Sequence, residues 1–283
     1  MSLMRRLREP NMSGVAAVGK ASGKVYTQGN IHNVYLRCLT SGGVELTRAQ
    51  ILNDISNIVV KINGEIYIDA DATFLLDLQK FYGDCITAGN VNGIIPIPFA
   101  RKHLATFQER SVTAIGTANV ADFSIEVQVI ANAQLNQIEI YTEIDNQELR
   151  NIGQHIRINK FTRNFAATGL QEIADMPFLD ESAIGYMAMH FQTPGSAVVS
   201  KYTIKRNNVE IFTDSSPNLN QVALQHAFRK PQTGYYHVDF SISNDLLGIL
   251  PMPGTRSLVK QITWAAAAPN SFTIYAERMF NKK

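Results

Sequence analysis

The sequence predicts an all-β protein with short helices, organised as two similar β-sandwich units in tandem. Three observations predict it. The chain repeats itself once at long spacing, hairpin signals separate short alternating apolar runs, and helical patterning is confined to brief segments. The repeat is carried by ordered matches. Val59-Val60-Lys61-Ile62-Asn63-Gly64-Glu65-Ile66-Tyr67-Ile68-Asp69 answers Thr203-Ile204-Lys205-Arg206-Asn207-Asn208-Val209-Glu210-Ile211-Phe212-Thr213-Asp214, and Gly93-Ile94-Ile95-Pro96-Ile97-Pro98 answers Gly248-Ile249-Leu250-Pro251-Met252-Pro253. A weaker echo pairs Phe123-Ser124-Ile125-Glu126-Val127 with Phe272-Thr273-Ile274-Tyr275-Ala276. The offsets, 144 from Gly64 to Asn208 and 155 from Gly93 to Gly248, far exceed the roughly 20 to 50 residues of a solenoid unit. The 283 residues therefore divide into two domains, each long enough to bury a core.

Residues 1–30 are rich in Gly, Ser, Lys and Arg without periodicity and read as an extended arm; Arg5, Arg6 and Arg8 precede the first acid, Glu9. The first unit is expected over 31–152 and the second over 153–283, since Asp145-Asn146-Gln147-Glu148 breaks the apolar pattern. Ile31–Arg37 and Ile58–Ile62 read as strands, and Asn63-Gly64 between two such runs is a type I′ hairpin signal, because both residues tolerate positive φ. Asn207-Asn208 suits the same turn in the second half. Thr47-Arg48-Ala49-Gln50 forms a capping box for a short helix. Thr73 to Gly83 predicts another helix, with Phe74, Leu78, Phe81 and Tyr82 on one face, Asp71 or Thr73 as cap, and Gly83 at C′. Ser216-Pro217 opens its counterpart, which runs to about Phe228. Alternate prolines cannot donate to a central ladder, so both Pro-x-Pro segments are placed at a sheet edge or crossing a sheet end. Phe123–Ile130, Gln137–Glu143, Tyr235–Ile242 and Phe272–Glu277 complete a strand pattern that fits a sandwich or jelly roll rather than βαβ units.

Composition narrows the function. Charged residues make up 18%, below the roughly 25% of typical soluble domains, which favours self-association. A net charge of +2 argues against wholesale nucleic-acid binding. No apolar stretch reads as a signal peptide or a membrane span, so synthesis in the cytoplasm is expected. Cys38 and Cys85 are expected to be reduced and buried.

Catalytic chemistry is weakly represented. Gly14 to Ala21 falls one residue short of a phosphate loop and lacks its strand-and-helix context. The histidines at 32, 103, 155, 190, 226 and 237 show no metal-ligand spacing, although His237 and Asp239 share a strand face. Asp69 and Asp71 resemble the opening of a calcium loop without its glycine or closing Glu, leaving a helix cap or a structural Ca2+ at a subunit contact. Glu139, Glu143 and Asp145, like Asp175, Asp180 and Glu181, read as solvated loop acids. No catalytic residue, cofactor or metal ligand is assigned.

A family resemblance rests on Leu46-Thr47, Gln50-Ile51, Ile55-Ser56-Asn57-Ile58, Lys61 and Asn63-Gly64 in the first unit. In the second it rests on Arg163-Asn164-Phe165, Glu172-Ile173-Ala174-Asp175-Met176-Pro177, Gly185-Tyr186 and Met187-Ala188-Met189-His190. The chain resembles the double jelly-roll major capsid proteins of tailless, membrane-containing double-stranded DNA bacteriophages, of the corticovirus and autolykivirus type. That resemblance implies two tandem jelly rolls and a homotrimer forming pseudo-hexameric capsomers of an icosahedral shell around an internal membrane. It further implies a virion location, neighbouring capsomers, vertex and minor membrane proteins as partners, and no direct contact with nucleic acid. Arg5, Arg6 and Arg8 would face the anionic lipid, each contributing about 1 kcal/mol near headgroups. Two other readings are open. A glycan-binding spike or tail module would display exposed aromatics, whereas Trp264 is the only tryptophan. A two-jelly-roll amidase or glycosidase would need paired carboxylates in a cleft.

Overall fold

A computed structural model describes residues 4–15, 18–83, 93–131, 133–164, 169–177, 183–193, 199–214, 216–264 and 271–282. Cys85, Asp180 and Glu181 lie outside these residues. The chain forms two compact units, the first comprising residues 1–158 with 282–283 and the second 159–281. The division falls six residues later than the 152/153 boundary read from the sequence, because the strand Gly153–Asn164 (β9) runs through it.

Among the described residues the first unit contains the strands β1 (Arg5–Arg8), β2 (Gly19–Lys24), β3 (Ile31–Leu39), β4 (Ile55–Ile62), β5 (Glu65–Asp71), β6 (Ile94–Pro98), β7 (Phe123–Val129) and β8 (Gln137–Ile144), and the opening residues of β9. They pair in the orders β1-β8-β3-β6 and β5-β4-β7-β2, and β5 also pairs in parallel with β9 through Ile68 and Ile158, both within this unit. The second unit uses β9, β10 (Gly169–Ile173), β11 (Ala183–Gln192), β12 (Val199–Arg206), β13 (Val209–Asp214), β14 (Tyr235–Asp239), β15 (Leu250–Pro251), β16 (Leu258–Trp264) and β17 (Ser271–Lys282). Its sheets are ordered β14-β11-β17-β9, with β15 also beside β11, and β10-β16-β12-β13. With β14 and β15 counted together as one split sixth strand, in both units the first, eighth, third and sixth strands lie together, and so do the second, seventh, fourth and fifth. This is the jelly-roll arrangement, repeated.

The turns explain why the two halves fold alike. Asn63 and Gly64 adopt φ of 50° and 80°, and Asn207 and Asn208 adopt 52° and 64°, as type I′ geometry requires. Each leading Asn then clamps the segment entering the seventh strand with equivalent bonds. Asn63 N–H donates to Asp122 O, its Oδ1 accepts from Ala121 and Asp122 N–H, and its Nδ2 donates to Asn119 O. Asn207 makes the same set with Ser257 O, Arg256 and Ser257 N–H, and Gly254 O. This equivalence corrects the third sequence echo: the counterpart of Phe123–Val127 is Leu258–Ile262, not Phe272–Ala276, which sits in an eighth strand.

The helices follow their caps. Thr47 and Gln50 close the expected capping box on α1 (Arg48–Asp54). In α2 (Ala72–Phe81) Asp71 occupies the N-cap position without a side-chain capping bond, while Gly83 takes φ 71°. A helix the sequence reading missed, α3 (Phe107–Val112), has its own Thr106/Glu109 box. Ser216 and Pro217 open α4 (Pro217–His226). The first Pro-x-Pro segment is β6, an edge strand, as expected. The second is part of a sixth strand split into β14 and β15, both beside β11.

The arm expected over residues 1–30 is not free. β1 pairs with β8 and β2 pairs with β7, so the segment contributes an edge strand to each sheet. Small residues in β2 are required by close packing: a Cβ on Gly23 would stand 2.5 Å from Ile140 Cδ1 and 2.9 Å from Met12 Cγ. Each sandwich has its own core. Val34, Leu36, Ile58, Val60, Ile125, Val127, Ile138 and Ile140 are fully buried in the first, as is the free thiol of Cys38. Phe191, Tyr202, Tyr236, Trp264 and Phe272 pack together in the second.

Candidate functional site: a basic edge strand over buried carboxylates

Arg5, Arg6 and Arg8 lie on β1, opposite Ile144, Glu143 and Tyr141 of β8. Register places Arg6 and Arg8 on one face with Glu143, Tyr141 and Glu139 of β8 and with Asn33, Tyr35 and Arg37 of β3. The opposite face carries Ile140, Ile138, Val34 and Leu36 into the core. The alternation of period two thus gives the sheet an apolar inner face and an ionic outer one.

The carboxylates expected in solvated loops are instead strand residues, Glu139 and Glu143 being only 6% exposed. They are buried because cations cover them. Arg8 donates to Glu139 at 2.6 Å and Arg37 at 3.2 Å, and Tyr141 adds a third bond at 2.9 Å. Glu143 accepts from Asn33 at 2.5 Å, Tyr35 at 3.1 Å and Lys102 at 3.2 Å, with Arg6 at 3.9 Å. Burial pushes both carboxyl pKa values up, but these hydrogen bonds and neighbouring charges outweigh it and hold both below the ordinary value. Arg37 also bonds Glu45 at 2.7 Å. Arg6, Arg8, Arg37 and Lys102 therefore face three carboxylates, and Arg5 adds a further exposed guanidinium to the same edge. A charged edge strand also resists pairing with stray strands.

Asp145 is held apart from these acids by His32 at 2.8 Å and Asn30 at 3.0 Å. Asp175 meets Arg163 at 2.9 Å in the second unit. Asp69 accepts a hydrogen bond from Asn57 at 2.8 Å, and among the described residues no three His, Cys, Asp or Glu side chains stand together to hold a metal.

His237 and Asp239 share a face but do not bond each other. Asp239 pairs with Arg229 at 2.6 Å and accepts from Ser241. His237 instead joins a buried relay that sequence reasoning missed, because its members lie on three strands. Gln232 N–H donates to His237 Nε2 at 3.1 Å, so His237 carries its proton on Nδ1. That proton is donated to His190 Nδ1 at 2.7 Å, and His190 Nε2–H is donated to Glu277 at 2.9 Å. His237 is thereby neutral, and burial, then the neighbouring His190, drives its pKa well down. The relay orders one sheet face.

Comparison with known proteins now places the chain. The profile described as "Viral coat protein P2 N-terminal domain" matches residues 6–145, and "Viral coat protein P2 C-terminal domain" matches 156–280. No curated protein sequence matches. Among solved structures, the major capsid protein P2 of bacteriophage PM2 superposes with a TM-score of 0.82 at 18% identity, over 99% of this chain and 98% of that one. A chain of Sulfolobus Turreted Icosahedral Virus gives 0.69 at 11% identity, over 98% and 91%. One from the PBCV-1 virus capsid gives 0.62 at 10%, over 99% and 95%. Together the two profiles cover most of both units, and the protein belongs to the viral coat protein P2 family, a family of structural coat subunits and not of enzymes, and it has the double jelly-roll fold.

Proposed function

We propose that three copies of this coat protein associate into a block of six jelly rolls, which tiles an icosahedral shell over an internal membrane. The observation that carries the reading is the repeated strand order: two like modules per chain let a threefold ring fill a six-sided outline. Exposed apolar residues supply surface for the contacts between copies, Ile66 on β5 and, on the edge strand β13, Val209 and Ile211. The contacts are expected to exceed the roughly 1,200–2,000 Å² of ordinary complexes. The subunit is made in the host cytoplasm, and minor membrane and vertex proteins are its other partners.

The basic edge strand is the surface proposed to face anionic lipid. Arg6 and Arg8 keep side-chain exposures of 71% and 55% despite their ion pairs, and Arg5 is exposed. Deleting β1 would uncover Glu139 and Glu143, so charge removal is the cleaner test. The variant Arg5→Gln/Arg6→Gln/Arg8→Gln should retain the trimer and lose flotation with phosphatidylglycerol vesicles. Unchanged flotation would remove the lipid assignment and leave the coat function intact.

A further inference from the structure

Helix α4 and residues 231–237 line a half-open cavity of about 240 Å³ within the second unit. Asn220, Gln221, Gln232 and Thr233 line it with neutral polar groups, and Pro217, Pro231 and Tyr235 add flat apolar surface. No Asp, Glu, Lys or Arg is among its lining residues. Its histidine, His237, is held neutral by the Gln232–His237–His190–Glu277 relay.

The walls are fixed before any ligand arrives. Asn220 Nδ2 donates to His237 O at 2.8 Å, tying the helix to β14. Gly234, at φ 82°, turns the chain into that strand, and its carbonyl accepts from Thr193 N–H at 2.8 Å. Tyr236 OH donates to buried Asp214, leaving the ring as wall. A preformed site of this kind avoids much of the ordering cost of binding.

We propose that this cavity binds one ring of a neutral saccharide. Amide and hydroxyl side chains both donate and accept, as sugar hydroxyls do, while proline and tyrosine surfaces match the C–H face of a sugar ring. The lack of lining charge disfavours phosphate, carboxylate and cationic ligands. The volume lies below the roughly 300–1,000 Å³ of drug-sized pockets, which limits the bound part to about one ring. On the coat-protein reading many copies would be displayed together, so weak single contacts would sum to avid attachment to a glycan-covered surface.

The test is saturation-transfer NMR on the purified full chain, using glucose, galactose, mannose and N-acetylglucosamine, with glucuronic acid as the charged control. At least one neutral sugar should bind with a Kd of about 1–10 mM, and glucuronic acid should not. Gln221→Ala and Thr233→Ala, both at exposed positions, should each weaken binding about tenfold without moving Tm. Gln221→Trp should abolish it by filling the cavity. No neutral sugar bound, or binding unchanged in all three variants, overturns the proposal. Because the cavity lies within one unit, the result is the same for a trimer or a monomer and is separable from the assembly reading.

Discussion

Lys260 offers the sharpest test of how the second sandwich is held. It lies on β16 opposite Ile173 and Ile204, fully buried, with its Nζ 5.5 Å from the Tyr186 ring centroid. Nζ finds no hydrogen-bond partner among the described residues. Burial drives its pKa from 10.5 down to about 7. A base with a depressed folded pKa costs stability; the cost is full below the folded value and vanishes above the unfolded one. That drop corresponds to about 5 kcal/mol below pH 7, falling to about 2 kcal/mol at pH 9. Replacing Lys260 with Met keeps the length and removes the charge. Lys260→Met should stabilise the protein by up to about 5 kcal/mol at pH 6, with the gain shrinking to about 2 kcal/mol at pH 9. Denaturant titrations of both proteins at pH 6, 7, 8 and 9 read this directly. Equal stability at pH 6, or parallel pH dependence in the two proteins, would refute the reasoning.

Three other outcomes follow from named contacts. Asn207→Ala should cost about 2–3 kcal/mol, since alanine is strained at φ 52° and the clamp on Gly254, Arg256 and Ser257 is lost; Asn207→Gly should recover the backbone part, measured by chemical denaturation. Asn63→Ala should behave in parallel in the first unit. Glu139 and Glu143 have folded pKa values below 4.5, so the stability they contribute is present at neutral pH and lost as pH falls through those lower values. The protection factor of the Glu9 amide, bonded to Ile140 O, which corrects for the slower intrinsic exchange in acid, should therefore fall as pH is lowered, and Glu139→Gln should lower it at pH 7. Thr106→Ala removes the capping box of α3 and should cost about 1 kcal/mol by thermal melting.

Much of the fold was legible because local chemistry and global architecture agree. Asn63-Gly64 and Asn207-Asn208 announce their turns, Thr47 and Ser216 their helices, and the alternate prolines their edge position. The strands β1 and β2 were not legible. Arg-Arg-Leu-Arg has one apolar residue in four, and Gly-Lys-Ala-Ser-Gly-Lys uses glycine where neighbours approach closely, so neither shows alternation. The third echo misled because Phe-Ser-Ile and Phe-Thr-Ile are generic strand patterns, whereas the Asn clamp is specific. The carboxylates on β8 looked solvated because their cations come from β1, β3 and the loop at Lys102, far away in sequence. The His190–His237–Glu277 relay was hidden for the same reason: its partners are 47 and 87 residues apart.

The mass of the purified protein in solution, with the outline of the particle by negative-stain microscopy, bears most directly on the pairing of like modules. Three chains of 31.4 kDa should give about 94 kDa and a six-sided outline. A stable 31.4 kDa particle at micromolar concentration, or a threefold particle with three lobes, would contradict it.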